Sequence, residues 1–195
     1  MIKKGICLAL FCLVQGSIFA ASYTLDKAHS EVGFTVKHLG VSKTKGIFKN
    51  VSSSITYDAK NLGSSRLEAT IDVASIDTGN EKRDEHLKSA DFFDAQSFPS
   101  ITFKSQKMMR DKSGKLIVSG ILTIKNISKQ VQLPVQLTKE IKDPYGQIRM
   151  GFETALKINR KEYNLKFDSK LADGSLIVGD EVSIEIQGEV LKTSI

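Results

Sequence analysis

Histidines and carboxylates are the side chains of this 195-residue sequence with the clearest capacity for chemistry. Both cysteines, Cys7 and Cys12, lie near the amino terminus, and the histidines are His29, His38 and His86. A histidine can act as a general base or bind a metal, and a carboxylate can share either task. The chemistry to be weighed is therefore hydrolysis, metal binding or the anchoring of a polar group on a ligand.

The spacing of the histidines argues against a metal site. In one extended strand, His29 and His38 would lie about 30 Å apart, because each residue advances roughly 3.3 Å. No pair of histidines has the i, i+4 spacing of the common helical zinc motif. We therefore expect no metal and no cofactor, and we interpret the histidines as capping and hydrogen-bonding residues.

The segments His29-Ser30 and Asp84-Glu85-His86 contain the residue types of a hydrolase triad. However, the sequence lacks a Gly-x-Ser-x-Gly elbow, and Asp84 and His86 would point to different faces of a helix. A triad is defined by its geometry. A hydrolase or metal-dependent enzyme using His29, His86 and a carboxylate therefore stays open as an alternative to a protein without catalytic activity.

Arg83 and Arg160, in the segments Arg83-Asp84 and Asn159-Arg160, also place polar groups beside apolar segments. We favour the interpretation that Asp84 pairs with a nearby arginine and pins a helical crossover onto the rest of the fold. In the other interpretation, Arg160, His86 or His29 anchors the head group of a ligand at the mouth of a cavity, where a few polar groups fix orientation.

Alternation of apolar and polar residues with a period of two is the dominant pattern and predicts strands that must position these groups. It predicts eight strands, over residues 31–38, 47–57, 66–74, 100–108, 116–124, 131–137, 150–158 and 182–190.

Short connections and one helix complete the predicted fold. Asp111-Lys-Ser-Gly114, Asp143-Pro-Tyr-Gly146 and Asp173-Gly174 are typical of tight turns and imply antiparallel neighbours. A helix is predicted from Asn80 to Ala90, with Asn80 or Gly79 near its cap. The chain is thus expected to form a single all-β domain, either a sandwich or a barrel.

The first twenty residues have the layout of a secretory signal peptide: Lys3 and Lys4, an apolar run, and small residues ending at Ala20. We expect cleavage after Ala20, a mature domain over residues 21–195 without cysteine, and a periplasmic location. Phe11 before Cys12 argues against lipidation. The formal net charge of +6 is dispersed, so no nucleic-acid partner is expected, although basic residues can aid transient contact with an anionic membrane surface.

Aromatic composition offers two interpretations of the interior. The chain has ten phenylalanines, four tyrosines and no tryptophan. Such residues are core residues in most β domains. An interior rich in phenylalanine and poor in polar handles also suits a long hydrocarbon ligand.

One long segment carries a resemblance to a known family. It contains Arg83-Asp-x-His-Leu87 and Asp91-Phe-Phe93. Five further motifs accompany this segment. With them, the chain resembles the YceI-like family of periplasmic polyisoprenoid-binding proteins over roughly residues 23–190. Those motifs are His29-Ser30, Phe34-x-Val36-Lys-His-Leu-Gly40, Gly46-x-Phe48, Gly120-x-Leu-Thr-Ile124 and Ile158-Asn-Arg160.

The resemblance implies an eight-stranded, lipocalin-like antiparallel barrel that holds an isoprenoid, such as a polyprenyl or quinone-like lipid, or another long-chain amphiphile. A homodimer is implied by the resemblance alone. A filled barrel acting as a stress-related interaction protein is a further alternative. We expect the cavity to be lined by Phe34, Val36, Phe48, Ile71, Phe92, Phe93, Phe98, Phe103, Leu122 and Phe152.

The chain departs from the family pattern after Arg160, where an aromatic residue is usually followed by glycine. Here Tyr163 is followed by Asn164. Asparagine can adopt the left-handed conformation that glycine would supply, so we expect the turn to survive.

Overall fold

The computed structural model describes residues 20–194, in which eleven β-strands and one α-helix are found. The signal peptide expected at residues 1–20 lies outside the described residues, apart from Ala20. The elements are β1 (Ala21–His38), β2 (Ser42–Phe48), β3 (Val51–Tyr57), β4 (Arg66–Asp72), β5 (Ile76–Asp77), α1 (Glu81–Lys88), β6 (Ser100–Arg110), β7 (Leu116–Ile124), β8 (Ile127–Leu137), β9 (Ile141–Lys142), β10 (Ile148–Asn159) and β11 (Val178–Ser194).

Eight of these strands form a closed antiparallel barrel. The strands β1, β3, β4, β6, β7, β8, β10 and β11 are hydrogen-bonded neighbours in that order, and β11 pairs with β1 to close the ring. Closure joins the first strand to the last, although the β1–β3 and β8–β10 ladders each extend over only three residue pairs. The prediction of one all-β barrel with a single helical crossover is therefore confirmed.

The predicted strand over residues 47–57 is divided in the structure. β2 pairs with the carboxyl-terminal half of β1, whereas β3 pairs with the first residues of β1. The chain bends at Lys49 and Asn50, where the Asn50 amide donates to Ser75 Oγ at 3.0 Å. The prediction of one strand here is wrong because hydrogen bonds to a distant segment interrupt the ladder.

Local signals for the helix and turns are confirmed. The Asn80 side chain accepts a hydrogen bond from the Arg83 amide and caps α1. Gly114, Gly146 and Gly174 have positive φ angles in the predicted turns. Asn164 adopts the left-handed conformation, with φ 58° and ψ 30°. Within residues 20–194, no helix has the length and apolar character needed to cross a membrane.

The barrel has two differently built ends. We call the end that contains the start of β1 the lower end, and the end that contains α1 the upper end. At the lower end Tyr23, Met150 and Val190 form a small apolar cluster. The Tyr23 hydroxyl donates to Glu140 Oε1 at 2.5 Å, and Lys192 Nζ donates to the same oxygen at 3.2 Å. Burial and the Glu140 carboxylate raise the pKa of Tyr23, so its phenol stays protonated.

Two glycines make room for phenylalanine rings. A Cβ at Gly46 would lie 2.4 Å from the ring of Phe34, and a Cβ at Gly120 would lie 2.7 Å from the ring of Phe103. Such distances are far shorter than any normal contact. The motifs that contain Gly46 and Gly120 therefore fix the positions of these two rings.

We expect Gly46→Ala to lower the free energy of unfolding by about 1–3 kcal/mol, because the new methyl group must displace the ring of Phe34. Urea unfolding measures the loss. The matched control is Gly33→Ala on the paired strand, where the added Cβ would make an ordinary contact of 3.5 Å with Glu185 O. Equal stabilities of the two variants would contradict the packing argument.

Candidate ligand-binding cavity

The barrel encloses a cavity of about 290 Å³. Its wall consists mainly of aliphatic and aromatic side chains from all eight barrel strands and from the segment after α1. This volume is near the lower limit of ordinary small-molecule pockets, about 300 Å³. An eight-stranded barrel is just wide enough to hold one small ligand. Side chains therefore do not fill the interior, which argues against the filled-barrel interpretation.

A row of rings links the barrel wall to the segment after α1. The ring centroids of Phe34 and Phe48 are 5.7 Å apart, and those of Phe48 and Phe93 are 5.9 Å apart. These separations are typical of favourable aromatic pairs. The row makes the upper part of the cavity aromatic on both the β2 side and the helical side.

A second aromatic cluster lies at the upper end. The rings of Phe92 and Phe167 stack at 4.9 Å, and His86 meets them edge-on at 5.1 Å and 5.2 Å. Lys125, in the turn between β7 and β8, donates to Phe92 O at 2.6 Å. Three connections thus meet at this end: the segment after α1, the β7–β8 turn and the segment between β10 and β11.

All but one of the apolar residues expected in the cavity wall are found there. The structure places in the wall Phe34, Val36, Phe48, Ile71, Phe92, Phe93, Phe103, Leu122 and Phe152. Their contact with a ligand stays a prediction.

Phe98 lies outside the cavity wall, contrary to the expectation. Residues 89–98 form consecutive turns, including the bond from the Phe98 amide to Asp94 O at 2.8 Å. Strand alternation therefore does not apply before β6. The Phe98 ring instead lies 5.8 Å from Lys125 Nζ.

Arg160 lines the cavity but is only 2% exposed. Its guanidinium donates four hydrogen bonds, to Gly179 O at 2.9 Å, Leu165 O at 2.6 Å, Val178 O at 3.1 Å and Asp180 Oδ1 at 3.0 Å. These bonds fasten the turn after β10 to the start of β11. The arrangement gives Arg160 a structural role, and its expected role as a head-group anchor stays a prediction.

Asp84 is buried, but its partner is not the expected arginine. The Asp84 carboxylate accepts from the Thr78 amide at 2.9 Å and from the Thr78 hydroxyl at 2.6 Å. Arg83 donates to Thr78 Oγ1 and Thr78 O, at 2.7 Å and 2.8 Å. Within residues 20–194, no ion pair involves Asp84. The predicted Asp84–arginine pair is therefore wrong, and Thr78 provides the connection that fixes the start of α1.

The two histidines of the predicted site lie apart from the cavity wall. His86 belongs to the aromatic cluster, and its Nε2 lies 3.1 Å from Asp91 Oδ2 at an exposed position. His29 lies in an interruption of β1, where residues 27–30 stand opposite the single residue Gly188. Its Nδ1 lies 3.0 Å from Asp26 Oδ2. Each histidine thus pairs with a local carboxylate, and the structure does not bring the two together.

Asp26, His29 and Glu189 form the one cluster in the described chain whose ligand atoms could converge on a metal. Arg149 already supplies positive charge there, since its guanidinium bonds Asp26 at 2.6 Å, Glu189 at 3.1 Å and Asp143 at 2.8 Å. Arg149 and, to a smaller extent, His29 lower the pKa of Asp26 to about 2. The cluster is therefore a network of ion pairs joining β1, β10 and β11.

Among the cavity residues that the sequence reasoning missed are two with buried hydroxyl groups. Ser53 and Thr154 both line the cavity, and their hydroxyl oxygens are buried without a hydrogen-bond partner among the described residues. For each residue, the alternation of apolar and polar positions along its strand indicated that the side chain points inward. Ser53 falls in the inward phase of Val51 and Ile55, and Thr154 falls in the inward phase of Phe152.

Comparisons with known proteins agree with this barrel. The sequence model of the family described as "YceI-like domain" matches residues 23–190 of this chain. Protein YceI of Escherichia coli O157:H7 is 37% identical over 166 residues, which cover 84% of this chain and 86% of that protein. The crystal structure of BcnA from Burkholderia cenocepacia is 30% identical, with a TM-score of 0.73 over 87% of this chain and 99% of BcnA.

A more distant solved structure shares the same fold. It is described as a polyisoprenoid binding domain from Saccharophagus degradans implicated in plant cell wall breakdown. It is 17% identical, with a TM-score of 0.64, and covers 89% of this chain and 99% of its own. This likeness is one of fold.

We expect Arg160→Met to lower the free energy of unfolding by about 2–4 kcal/mol, because buried carbonyl groups and Asp180 lose a charged donor. Urea unfolding gives the value. Lys161→Met is the control, since Lys161 pairs with Asp168 and Asp180 at a partly exposed site and should cost much less. Intact stability combined with loss of ligand in Arg160→Met would favour the head-group role instead.

The ion-pair network predicts a pH dependence. A carboxyl group whose pKa is lowered on folding contributes stability above its ordinary pKa, and this contribution is lost as the pH falls through the lowered value. For Asp26 we expect the loss between about pH 4 and pH 2. Thermal unfolding across this range should show a shallower pH dependence for Asp26→Asn than for the wild type. Parallel profiles would contradict the assignment.

Proposed function

We propose that this chain, which belongs to the YceI-like domain family, binds an isoprenoid or another long-chain amphiphilic lipid in its barrel and carries it without catalysis. The observation that carries the proposal is the cavity in the barrel, whose wall is mainly apolar. A wall of this kind removes a hydrocarbon chain from water. Sequestration or transport is the activity that such a site supports best.

Burial of the hydrocarbon would supply the main part of the affinity. Ten buried methylene groups at roughly 0.8 kcal/mol each contribute about 8 kcal/mol before the costs of binding. A net free energy of that size corresponds to a dissociation constant of about 1 μM. The hydrocarbon tail can therefore dominate binding, and several related lipids can compete for the same cavity.

The relatives support the proposed class of ligand. The Saccharophagus degradans domain, described as polyisoprenoid binding, shares the barrel fold. An isoprenoid chain is branched and apolar, and a wall of aliphatic and phenyl side chains suits such a chain. We extend this ligand class to the present chain as part of the proposal.

We also propose that the protein acts in the periplasm. The support is the signal-peptide pattern of residues 1–20. A carrier there would shield an apolar chain from water between two membranes. The small basic excess of the sequence would favour brief contact with anionic lipid surfaces.

The enzymatic alternative has less support. It requires His29 and His86 to act with a carboxylate on one substrate. His29 is held by Asp26 beside the Arg149 network, while His86 pairs with Asp91 near α1. Neither histidine lines the cavity. A carrier accounts for the apolar interior, whereas the enzymatic alternative leaves it without a role.

We expect protein purified from the periplasmic fraction of its own host to yield one stoichiometric isoprenoid or related lipid on extraction with organic solvent and mass spectrometry. The variant Ala69→Phe should lose this lipid, because a phenyl group from the wall would occupy the cavity. It should keep its fold, as judged by circular dichroism.

The matched control is Thr70→Phe, one residue further along β4, where the side chain is exposed on the outer face. This variant should retain the lipid at the wild-type ratio. A lipid-free wild-type extract, or equal lipid in both variants, would overturn the carrier proposal. Absence of the protein from the periplasmic fraction would overturn the proposed location.

A further inference from the structure

We propose that the hydroxyl groups of Ser53 and Thr154 are ligand contacts, each positioned to hold an uncharged oxygen group of a lipid inside the barrel. The ligand would then be an alcohol, ketone, quinone or ester in preference to a phosphate or a carboxylate. This inference rests on the proposed lipid-binding function. It adds the residues that select the polar group and the chemical class of that group.

Ser53 is an exception on the inner face of β3. Its neighbours in the inward phase are Val51 and Ile55, and all three residues line the cavity. The oxygen of Ser53 is buried and unpartnered within residues 20–194. By contrast, the adjacent residue Ser54 is exposed on the outer face, where a hydroxyl is solvated.

Thr154 is the corresponding exception on β10. It lies between Phe152 and Leu156 in the inward phase, and all three residues line the cavity. Its Oγ1 is also buried and lacks a partner in the described part of the chain. Among the described residues, two strands therefore each present one hydroxyl without a partner to a mainly apolar chamber.

An unpaired buried hydroxyl is unfavourable for folding. Buried polar groups in proteins nearly always have a hydrogen-bond partner, and each exception calls for an explanation. An apolar residue of the same shape would avoid the cost of desolvation. A ligand oxygen that accepts from these hydroxyls would supply the missing partner, and this explains their positions in the wall.

The charges around the cavity favour an uncharged group. Arg160 is the buried cation of the wall, and its guanidinium is already engaged by backbone carbonyl groups and Asp180. Lys27 and Lys49 line the cavity from exposed positions, and Lys49 pairs with Asp77. A phosphate held by the inner hydroxyls of Ser53 and Thr154 would lie among apolar groups, because both lysines are exposed, and its desolvation would cost much.

The wall near Ser53 is also the place where polar residues approach the cavity. Pairing of β1 with β3 ends at Tyr23 and Ile55, and pairing of β1 with β2 begins at Val32 and Phe48. Between these points the ladder is interrupted. The cavity residues of this stretch include Lys27, Ser30, Glu31 and Lys49. A polar group beside Ser53 would therefore lie at the most polar side of the chamber.

The test uses the mature protein, residues 21–195, after removal of bound lipid. The three probes share the same hydrocarbon skeleton and are farnesol, farnesene and farnesyl phosphate. The variant Ser53→Ala/Thr154→Val removes both hydroxyls and keeps the side-chain shapes. We expect it to bind farnesol about tenfold more weakly than the wild type, since hydrogen bonding to the alcohol inside the barrel is lost. Its affinity for farnesene should be unchanged or higher. Wild-type protein should prefer farnesol to farnesyl phosphate.

The outer-face variant Ser54→Ala/Thr70→Val is the control, and it should match the wild type with every probe. Thermal unfolding of the lipid-free proteins provides an independent readout: the inner-face variant should be at least as stable as the wild type, because it no longer buries unpaired hydroxyls. Equal farnesol affinity in the inner-face variant and the wild type would overturn this inference while leaving the carrier proposal intact. Failure of the wild type to bind farnesol or farnesene would instead count against the carrier proposal.

Discussion

The pairing of β1 with β11 is the constraint on which the rest of this structure depends. It extends from Ser22 opposite Ser194 to His38 opposite Val178, and it converts a sheet with two edges into a barrel. Closure has to accommodate the additional residues 27–30 of β1. They fit because they face Gly188, where a Cβ would lie 2.1 Å from Ser30 Oγ. The Ser30 hydroxyl lies within hydrogen-bonding distance of both Glu189 N and Glu189 O, which joins the two strands where their ladder is interrupted.

Closure creates an interior, and the distribution of side-chain size keeps that interior open. Phe34 lies over Gly46, and the ring of Phe103 lies over Gly120. Each ring therefore occupies the space where a side chain at the glycine would otherwise lie. Large and small residues are complementary within the wall, so close packing between strands coexists with a cavity at the centre. The same arrangement explains why two glycine-containing motifs belong to the sequence pattern of this chain.

Most of the barrel strands could be predicted from alternation, because a buried sheet face imposes a period of two on each strand, whereas closure into a barrel was predicted from the family resemblance. The helix start at Asn80 and the glycine turns are similarly local. The interruption of β1 could not be predicted, since Gly188, which accommodates it, is far along the chain. Phe98 was expected in the cavity wall but lies among turns fixed by backbone hydrogen bonds. The partners of Arg160 include residues 18–20 positions later, and only the folded barrel brings them together.

The chemistry of the wall separates affinity from selectivity. Apolar burial depends on the area removed from water and is nearly indifferent to the identity of the chain that is buried. A chamber lined only by hydrocarbon would therefore accept any tail that fits. Discrimination has to come from shape and from atoms that require a partner, because a buried polar group left unpaired carries a penalty that apolar contact does not repay. Since the Arg160 guanidinium bonds the protein itself, the unpaired oxygens of Ser53 and Thr154 are the wall atoms best suited to distinguish one lipid from another.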